Sequence, residues 1–514
     1  MNSILEAFLT HAQQTPNKPC ILFEGQTLTY AALRAAAQKF AQAVIAWGLQ
    51  PTDRVALFLE NSPEFLIAYL GTWWAGGTVV LVNTAYRQVE LRHILNDSSA
   101  RLCITGGGQQ QELARIRHEL PHLERILETG DDLTHFLNPQ SLIPNPQSPI
   151  SNPQSPQPNS IAIIAYTSGT TGRSKGAMLL HRNLIANAQA ICEAWRWTSA
   201  DHLLHMLPLF HAHGLMVGMH GTWVAGSSIE LHRKFDAALA YTRLLSEDFS
   251  MFFGVPTMYT RLIQEAQARA QKPAHLRLYV SGSAPLSAQT FAEFENLFGQ
   301  KILERYGMTE TVMNTTNPYD ATDGERRPAT VGRPFPRQEA RVVDVRTRQP
   351  LPPETIGEIE VRGPHVFAGY LNRPDATAES FDSAGWFRTG DLGQMSADGY
   401  FTITGRAKEL IITGGYNVYP REVEDVLAQC PGVAEVAVFG LPDAEFGECV
   451  CAAIVRADNT LMADAITTFC KDQLAGYKKP RQIFFVEGLP RNAMGKVQKH
   501  LLATSCSASP HPPE

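Results

Sequence analysis

Apolar residues along this chain fall into two rhythms, one helical and one strand-like, and their alternation predicts an α/β fold. From Tyr30 to Leu49, the residues Leu33, Ala37, Phe40, Val44 and Ile45 share one face of an amphipathic helix. Residues 54–59 read as a short strand. Ser62-Pro63-Glu64 then supplies an N-cap hydroxyl, a first-turn proline and an acid suited to a helix dipole. Residues 65–86 form a stretch of 22 uncharged residues, long enough for a membrane span. Gly76-Gly77 divides it into a helical half and the strand-like Thr78-Val79-Val80-Leu81-Val82, so it predicts a buried helix leading into a buried strand. Helices alternating with short apolar strands indicate layers built on largely parallel sheet.

Two places break the rhythm. Residues 138–159, NPQSLIPNPQSPISNPQSPQPN, repeat an uncharged Pro- and Asn-rich unit that cannot bury a core, and they predict a flexible surface insertion. Beyond about residue 405 the pattern shortens. Strand-like Leu410-Ile411-Ile412 meets a Gly-Gly turn, followed by helical REVEDVLAQ, strand-like VAEVAVFG and a Lys-rich end. The expected organisation is a large α/β domain over 1–404, a hinge at 405–408 and a small α+β domain over 409–514, with disorder from Ser505 onward.

Composition narrows the classes. A chain of 514 residues exceeds one compact core. The formal net charge of -6 gives no basis for a nucleic-acid partner. The eight cysteines contain no CxxC pair and read as reduced thiols, and the N-terminus lacks the basic start and apolar core of a signal peptide, so a cytoplasmic location is expected.

The strongest chemical signal is Tyr166-Thr167-Ser168-Gly169-Thr170-Thr171-Gly172-Arg173-Ser174-Lys175-Gly176, entered from the apolar strand Ile161-Ala162-Ile163-Ile164-Ala165. Glycines let backbone N–H groups converge on an anion, while the hydroxyls and Lys175 add donors and charge, which suits a polyphosphate. It is not a Walker A loop, because Ser174 and not Gly precedes the lysine.

Further blocks follow in order: LPLFHAHG around His211, GSAP at 282–285, ERYGMTE at 304–310, GWFRTGDLG at 385–393, GRAKELIITGGYNVYPREVE at 405–424 and PRNAMGK at 490–496. With the loop they resemble the adenylate-forming superfamily of acyl-CoA synthetases, luciferases and peptide-synthetase adenylation domains, over nearly the whole chain apart from 138–159 and the tail. The resemblance implies an ATP-dependent carboxylate–CoA ligase that forms an acyl-adenylate and then a thioester, using ATP, Mg2+ and coenzyme A. It implies that Thr167 to Gly172 and Lys175 hold phosphates, that Tyr306, Gly307, Gly282, Ser283 and Ala284 hold adenine, that Asp391 holds ribose, and that Arg406 reaches the ribose or phosphate side. A carboxylate can accept both ribose hydroxyls. It makes Thr309 a phosphate donor and Glu310 a magnesium ligand, which suits a hard cation that keeps phosphate oxygens and water. Lys496 becomes the lysine that stabilises adenylation, His211 a gate between the ATP and acyl sites, and Lys408 the hinge residue. The small domain is expected to swing between an adenylating and a thioester-forming pose, the Gly414-Gly415-Tyr416 loop lining the pantetheine tunnel in the second. The PxxxxGK spacing from Pro490 resembles sites of lysine acetylation, which implies an acetyltransferase partner for Lys496.

The acyl group is also addressed. GVPTMYTRL at 254–262 and LERYGMTETVMNTTNPYD at 303–320 resemble malonyl-CoA synthetases. Arg305 stands where luciferases and coumarate ligases carry a small residue, and Arg261 adds a second guanidinium; such forks suit the far carboxylate of malonate or methylmalonate. Ser281 and Ser283 are candidate extra donors. The alternatives are a fatty- or aromatic-acid–CoA ligase and a loader of a separate carrier protein. Retention of Lys175, Glu310, Asp391, Arg406 and Lys496 argues against an inactive nucleotide binder.

Overall fold

A computed structural model of the chain describes residues 1–137, 156–167, 174–246, 248–269, 271–414, 416–443, 445–458, 460–471, 473–491 and 496–507. The expected insertion thus lies almost wholly outside the described residues. The α/β expectation is met, and the chain divides into two compact units, Met1–Ala340 with Val361–Phe387, and Arg341–Glu360 with Arg388–Glu514.

In the first unit the local readings hold with small shifts. The first long helix is Tyr30–Trp47, and Pro63–Trp74 starts where Ser62 Oγ accepts the N–H of Phe65 at 3.3 Å. Strand Thr78–Leu81 follows the Gly pair, with all four residues buried. It lies in a six-stranded sheet ordered Arg125–Glu128, Leu102–Thr105, Arg54–Phe58, Thr78–Leu81, Ile161–Thr167 and Lys175–Leu180. All pairs in it are parallel except the last. A second sheet of nine strands contains the parallel run His202–His205, Met251–Gly254, Leu278–Ser281 and Leu303–Tyr306. No helix among the described residues is long and apolar enough to cross a membrane.

This unit buries several imidazoles. His181, His205, His213, His220 and His365 are all buried. Burial pushes His181, His205, His220 and His365 down to about 3. They therefore fold neutral, while the unfolded chain takes up protons below its ordinary value of 6.5. The folded pKa lies below the unfolded one, so this stability is complete above pH 6.5 and is lost as pH falls toward 3. Each such histidine subtracts roughly 1.4 kcal/mol per pH unit in that window. Urea unfolding followed by tryptophan fluorescence should show the first unit's midpoint collapsing between pH 6.5 and 4.5. A midpoint constant over that range contradicts the neutral histidine core.

Most residues of a four-stranded sheet, Glu339–Val343, Gly357–Arg362, Phe387–Met395 and Phe401–Arg406, fall in the second unit, which also holds a five-stranded sheet centred on Val433–Asp443 and Gly447–Arg456. Apolar clusters form around the latter, one with Ile411, Val423, Leu427 and Ile466, the other with Phe439, Cys451 and Leu502. Leu502 comes from the helix Lys499–Ser507, so the chain is helical through Ser507, past the Ser505 at which disorder was expected. All eight cysteines are free thiols.

Candidate active site

The phosphate-type loop is the connection of a hairpin. Ile161–Thr167 pairs antiparallel with Lys175–Leu180, and Thr167 opposite Lys175 closes the ladder. Ser168, Gly169, Thr170, Thr171 and Gly172 lie outside the described residues. The foot of the loop is held by His93, whose Nε2 donates to the Ser174 carbonyl at 2.7 Å while its ring meets Tyr166 edge-on. Tyr166 in turn donates to Asp97 at 2.7 Å.

Residues 368–371 add backbone to the free side of Lys175–Leu180. The Ala368 N–H donates to the Met178 carbonyl, Met178 to Gly369 and Leu371 to Gly176, at 2.9, 3.0 and 2.8 Å. That pairing carries Tyr370 over Lys175, with Nζ 4.8 Å from the ring centroid. The Tyr370 hydroxyl donates to Glu310 Oε1 at 2.9 Å, fixing a buried carboxylate near the loop lysine. The sequence reading missed Tyr370. It lies 60 residues from Glu310, and only strand addition joins them, so no local spacing could have signalled it.

Parallel strands Leu278–Ser281 and Leu303–Tyr306 are neighbours, so Gly282-Ser283-Ala284 and Tyr306-Gly307 emerge from the same sheet edge, the carboxyl end where open α/β sheets bind ligands. A Cβ on Gly307 would sit 2.0 Å from the Val312 carbonyl oxygen, so only glycine lets the turn carrying Thr309 and Glu310 fold back over this strand.

Arg305 occupies the middle of that edge and is only 3% exposed. Its Nε and Nη2 have no hydrogen-bond partner among the described residues. A Cβ on Gly282 would lie 2.5 Å from its Cζ, so the glycine provides the guanidinium's clearance. Burial lowers its pKa to about 9, which leaves it cationic at neutral pH. Burial, with Arg305 adding to it, pushes His211 down to about 4. The structure therefore brings Arg305, Gly282 and His211 together. Ser281 pairs in register with Glu304, so its buried side chain shares the face of Glu304 and not of Arg305. Arg261 is exposed on the helix Pro256–Ala268.

In the second unit, antiparallel pairing places Asp391 opposite Arg406, and Arg406 Nε meets Asp391 Oδ1 at 2.6 Å. Thr389 Oγ1 accepts the Asp391 N–H at 3.0 Å and donates to the Ile359 carbonyl at 2.7 Å. Asp391 is thus held within a paired strand with one oxygen on a guanidinium. Lys496 retains solvent exposure, yet protein packed around its ammonium lowers its pKa, and Arg406 adds to the effect against Asp391 and Glu409. The structure therefore places Lys496, Asp391 and Arg406 in one charge cluster. Lys408 follows in the short turn Ala407–Glu409. Gly414 adopts φ 55°, Gly415 lies outside the described residues, and Tyr416 is exposed and stacks on Tyr477 with centroids 4.6 Å apart.

Among the described residues no three His, Cys, Asp or Glu side chains converge to hold a metal. The single carboxylate of Glu310 near Lys175 fits a divalent cation that takes its other ligands from phosphates and water, which is the habit of magnesium.

Comparison with known proteins accounts for both units. The AMP-binding enzyme model matches residues 8–371 and the AMP-binding enzyme C-terminal domain model residues 422–496. The chain is 32% identical to a malonate–CoA ligase of Arabidopsis thaliana, over 98% of this chain and 88% of that protein. It is also 32% identical to a long-chain-fatty-acid–CoA ligase of Bacillus subtilis, over 98% and 94%. The crystal structure of ATP-bound MatB from Rhodopseudomonas palustris superposes with a TM-score of 0.89 at 40% identity, covering 98% of both chains. The ordered motifs, the two-unit α/β fold and these matches place the chain in the AMP-binding enzyme family, the adenylate-forming superfamily of acyl-CoA synthetases.

Proposed function

We propose that this chain is an AMP-forming malonate– or methylmalonate–CoA ligase. The observation that carries the acyl assignment is Arg305: a buried guanidinium with two donor nitrogens lacking a partner, at the ligand-binding edge of a parallel sheet. An unpaired buried charge is costly, so such a group is kept where a ligand will meet it. A fatty acyl tail has no charge to offer; a short dicarboxylate has one at the right end. The malonate–CoA ligase relative supports this reading, and the fatty-acid relative marks the competing one.

In this reading Thr167 to Gly172 and Lys175 cradle the phosphates, while Tyr306 to Gly307 and Gly282 to Ala284 hold adenine. Asp391 holds ribose, Arg406 reaches the ribose or phosphate side, and Thr309 donates to phosphate. Glu310 would hold magnesium, which when bound neutralises phosphate charge. Tyr370 orients the Glu310 carboxylate. The acid's carboxylate attacks the α-phosphate and pyrophosphate leaves; CoA thiolate then attacks the acyl carbonyl and AMP leaves. Lys496 stabilises charge in the first step. His211, held neutral by the burial of its ring with Arg305 adding to the effect, gates acyl entry. Lys408 is the hinge residue, and Gly414, Gly415 and Tyr416 meet pantetheine. The relatives lend no support to a lysine acetyltransferase acting on Lys496.

Pyrophosphate release across a panel of acids tests the assignment. Malonate should give the highest rate, and its thioester should form only when CoA is present. Fastest turnover with octanoate or a coumarate would replace the dicarboxylate reading with the monocarboxylate one.

A further inference from the structure

His213 lies two residues beyond the gate histidine and plays no part in the sequence reading. It is 1% exposed, in the segment His213–Met219, and its ring lies roughly parallel to Phe253 with centroids 6.4 Å apart. Its Nδ1 is 3.3 Å from Ser283 Oγ. Its Nε2 is buried and has no partner among the described residues. Ser283 follows Gly282, the residue on which the Arg305 guanidinium rests, so consecutive positions of one loop position both groups.

We infer that His213 is a second specificity-determining residue of the acyl pocket, donating through Nε2–H to the same distal carboxylate that Arg305 pairs. The inference rests on the dicarboxylate reading above. The bond made by one imidazole nitrogen sets the state of the other. When the Ser283 hydroxyl donates to Nδ1, the proton of the neutral ring sits on Nε2 and makes it a donor. Burial and the nearby Arg305 hold the ring neutral, well below its ordinary value, so the donor persists at all working pH values. Two donor groups lacking partners, Arg305 Nε and Nη2 and His213 Nε2, then stand ready for an acceptor with several lone pairs. A carboxylate supplies these; a methyl or methylene tail supplies none.

His213→Asn keeps an amide near the Nδ1 position, for Ser283, and removes the Nε2 donor. His213→Phe keeps the ring against Phe253 and removes both nitrogens. His213→Gln carries an amide N–H to about the Nε2 position. The Asn and Phe variants should lower kcat/KM for malonate roughly 10- to 100-fold, the usual effect of losing a hydrogen bond to a charged group, and for propionate less than about threefold. The Gln variant should keep a malonate-to-propionate ratio within about threefold of the wild type. Measuring both Asn and Phe guards against one of them failing to fold. Equal losses for malonate and propionate, or an unchanged ratio in whichever of the two folds, overturns the role of His213. If the wild type itself shows no preference for malonate over propionate, the dicarboxylate reading fails instead; if Arg305→Ala loses the preference and His213→Asn does not, only the present inference fails.

Discussion

Replacing Arg305 with alanine should lower kcat/KM for malonate by about 30-fold to several thousand-fold, while propionate and butyrate lose far less or gain. The adenylated carboxylate of malonate must reach the α-phosphate. Its second carboxylate, one methylene away, then has to lie in the acyl pocket, out of water. Removing one member of such a buried pair typically costs about 2–5 kcal/mol, which sets the expected range. A neutral-tailed acid makes no such pair. In wild type it leaves the guanidinium buried and unsatisfied at Nε and Nη2, so the alanine variant removes a penalty for it. Longer dicarboxylates should be poor wild-type substrates, because their far charge overshoots a guanidinium fixed against Gly282. Steady-state kinetics with the three acid types checks each part, and an equal fall for every acid contradicts the pairing.

Lys496→Ala should slow adenylation by roughly 10²–10³ and spare thioester formation from supplied malonyl-adenylate. In the second unit protein packed around the Lys496 ammonium disfavours its charge, with Arg406 adding to the effect, so a further anion placed against it is favoured. An attacking carboxylate and an α-phosphate bring that anion, and the stabilisation grows as charge develops between them. CoA attack on the finished adenylate does not build the same charge. Pyrophosphate release and single-turnover thioester formation separate the two steps. Equal losses in both would show that Lys496 acts through folding or nucleotide affinity alone.

What the sequence made legible follows from how local each signal is. Ser62 marks a helix start because its hydroxyl caps a backbone donor three residues on, and the helix is there. The motif blocks are contiguous, so the residues expected to bind nucleotide could be named before any sheet order was known. The sequence reads as the strand Ile161–Ala165 running into a glycine-rich loop, but the far side of that loop is the strand Lys175–Leu180, whose pairing supplies the edge that 368–371 joins. Tyr370 over Lys175, Gly282 beneath Arg305 and His213 against Ser283 each depend on tertiary placement, so no spacing rule reaches them. Strand register likewise separates Ser281 from Arg305, which composition and motif alone could not do. The helix through Ser507 runs past the expected start of disorder because Leu502 packs into a core formed by distant strands.

The most direct test of the central claim is competition in one vessel. Wild-type protein receives ATP, magnesium, CoA and equimolar malonate, propionate, octanoate and coumarate, and the acyl-CoA products are resolved by mass at early times. A buried guanidinium awaiting a second carboxylate predicts malonyl-CoA in large excess, and loss of that excess in Arg305→Ala. Octanoyl-CoA or coumaroyl-CoA as the main wild-type product would contradict it.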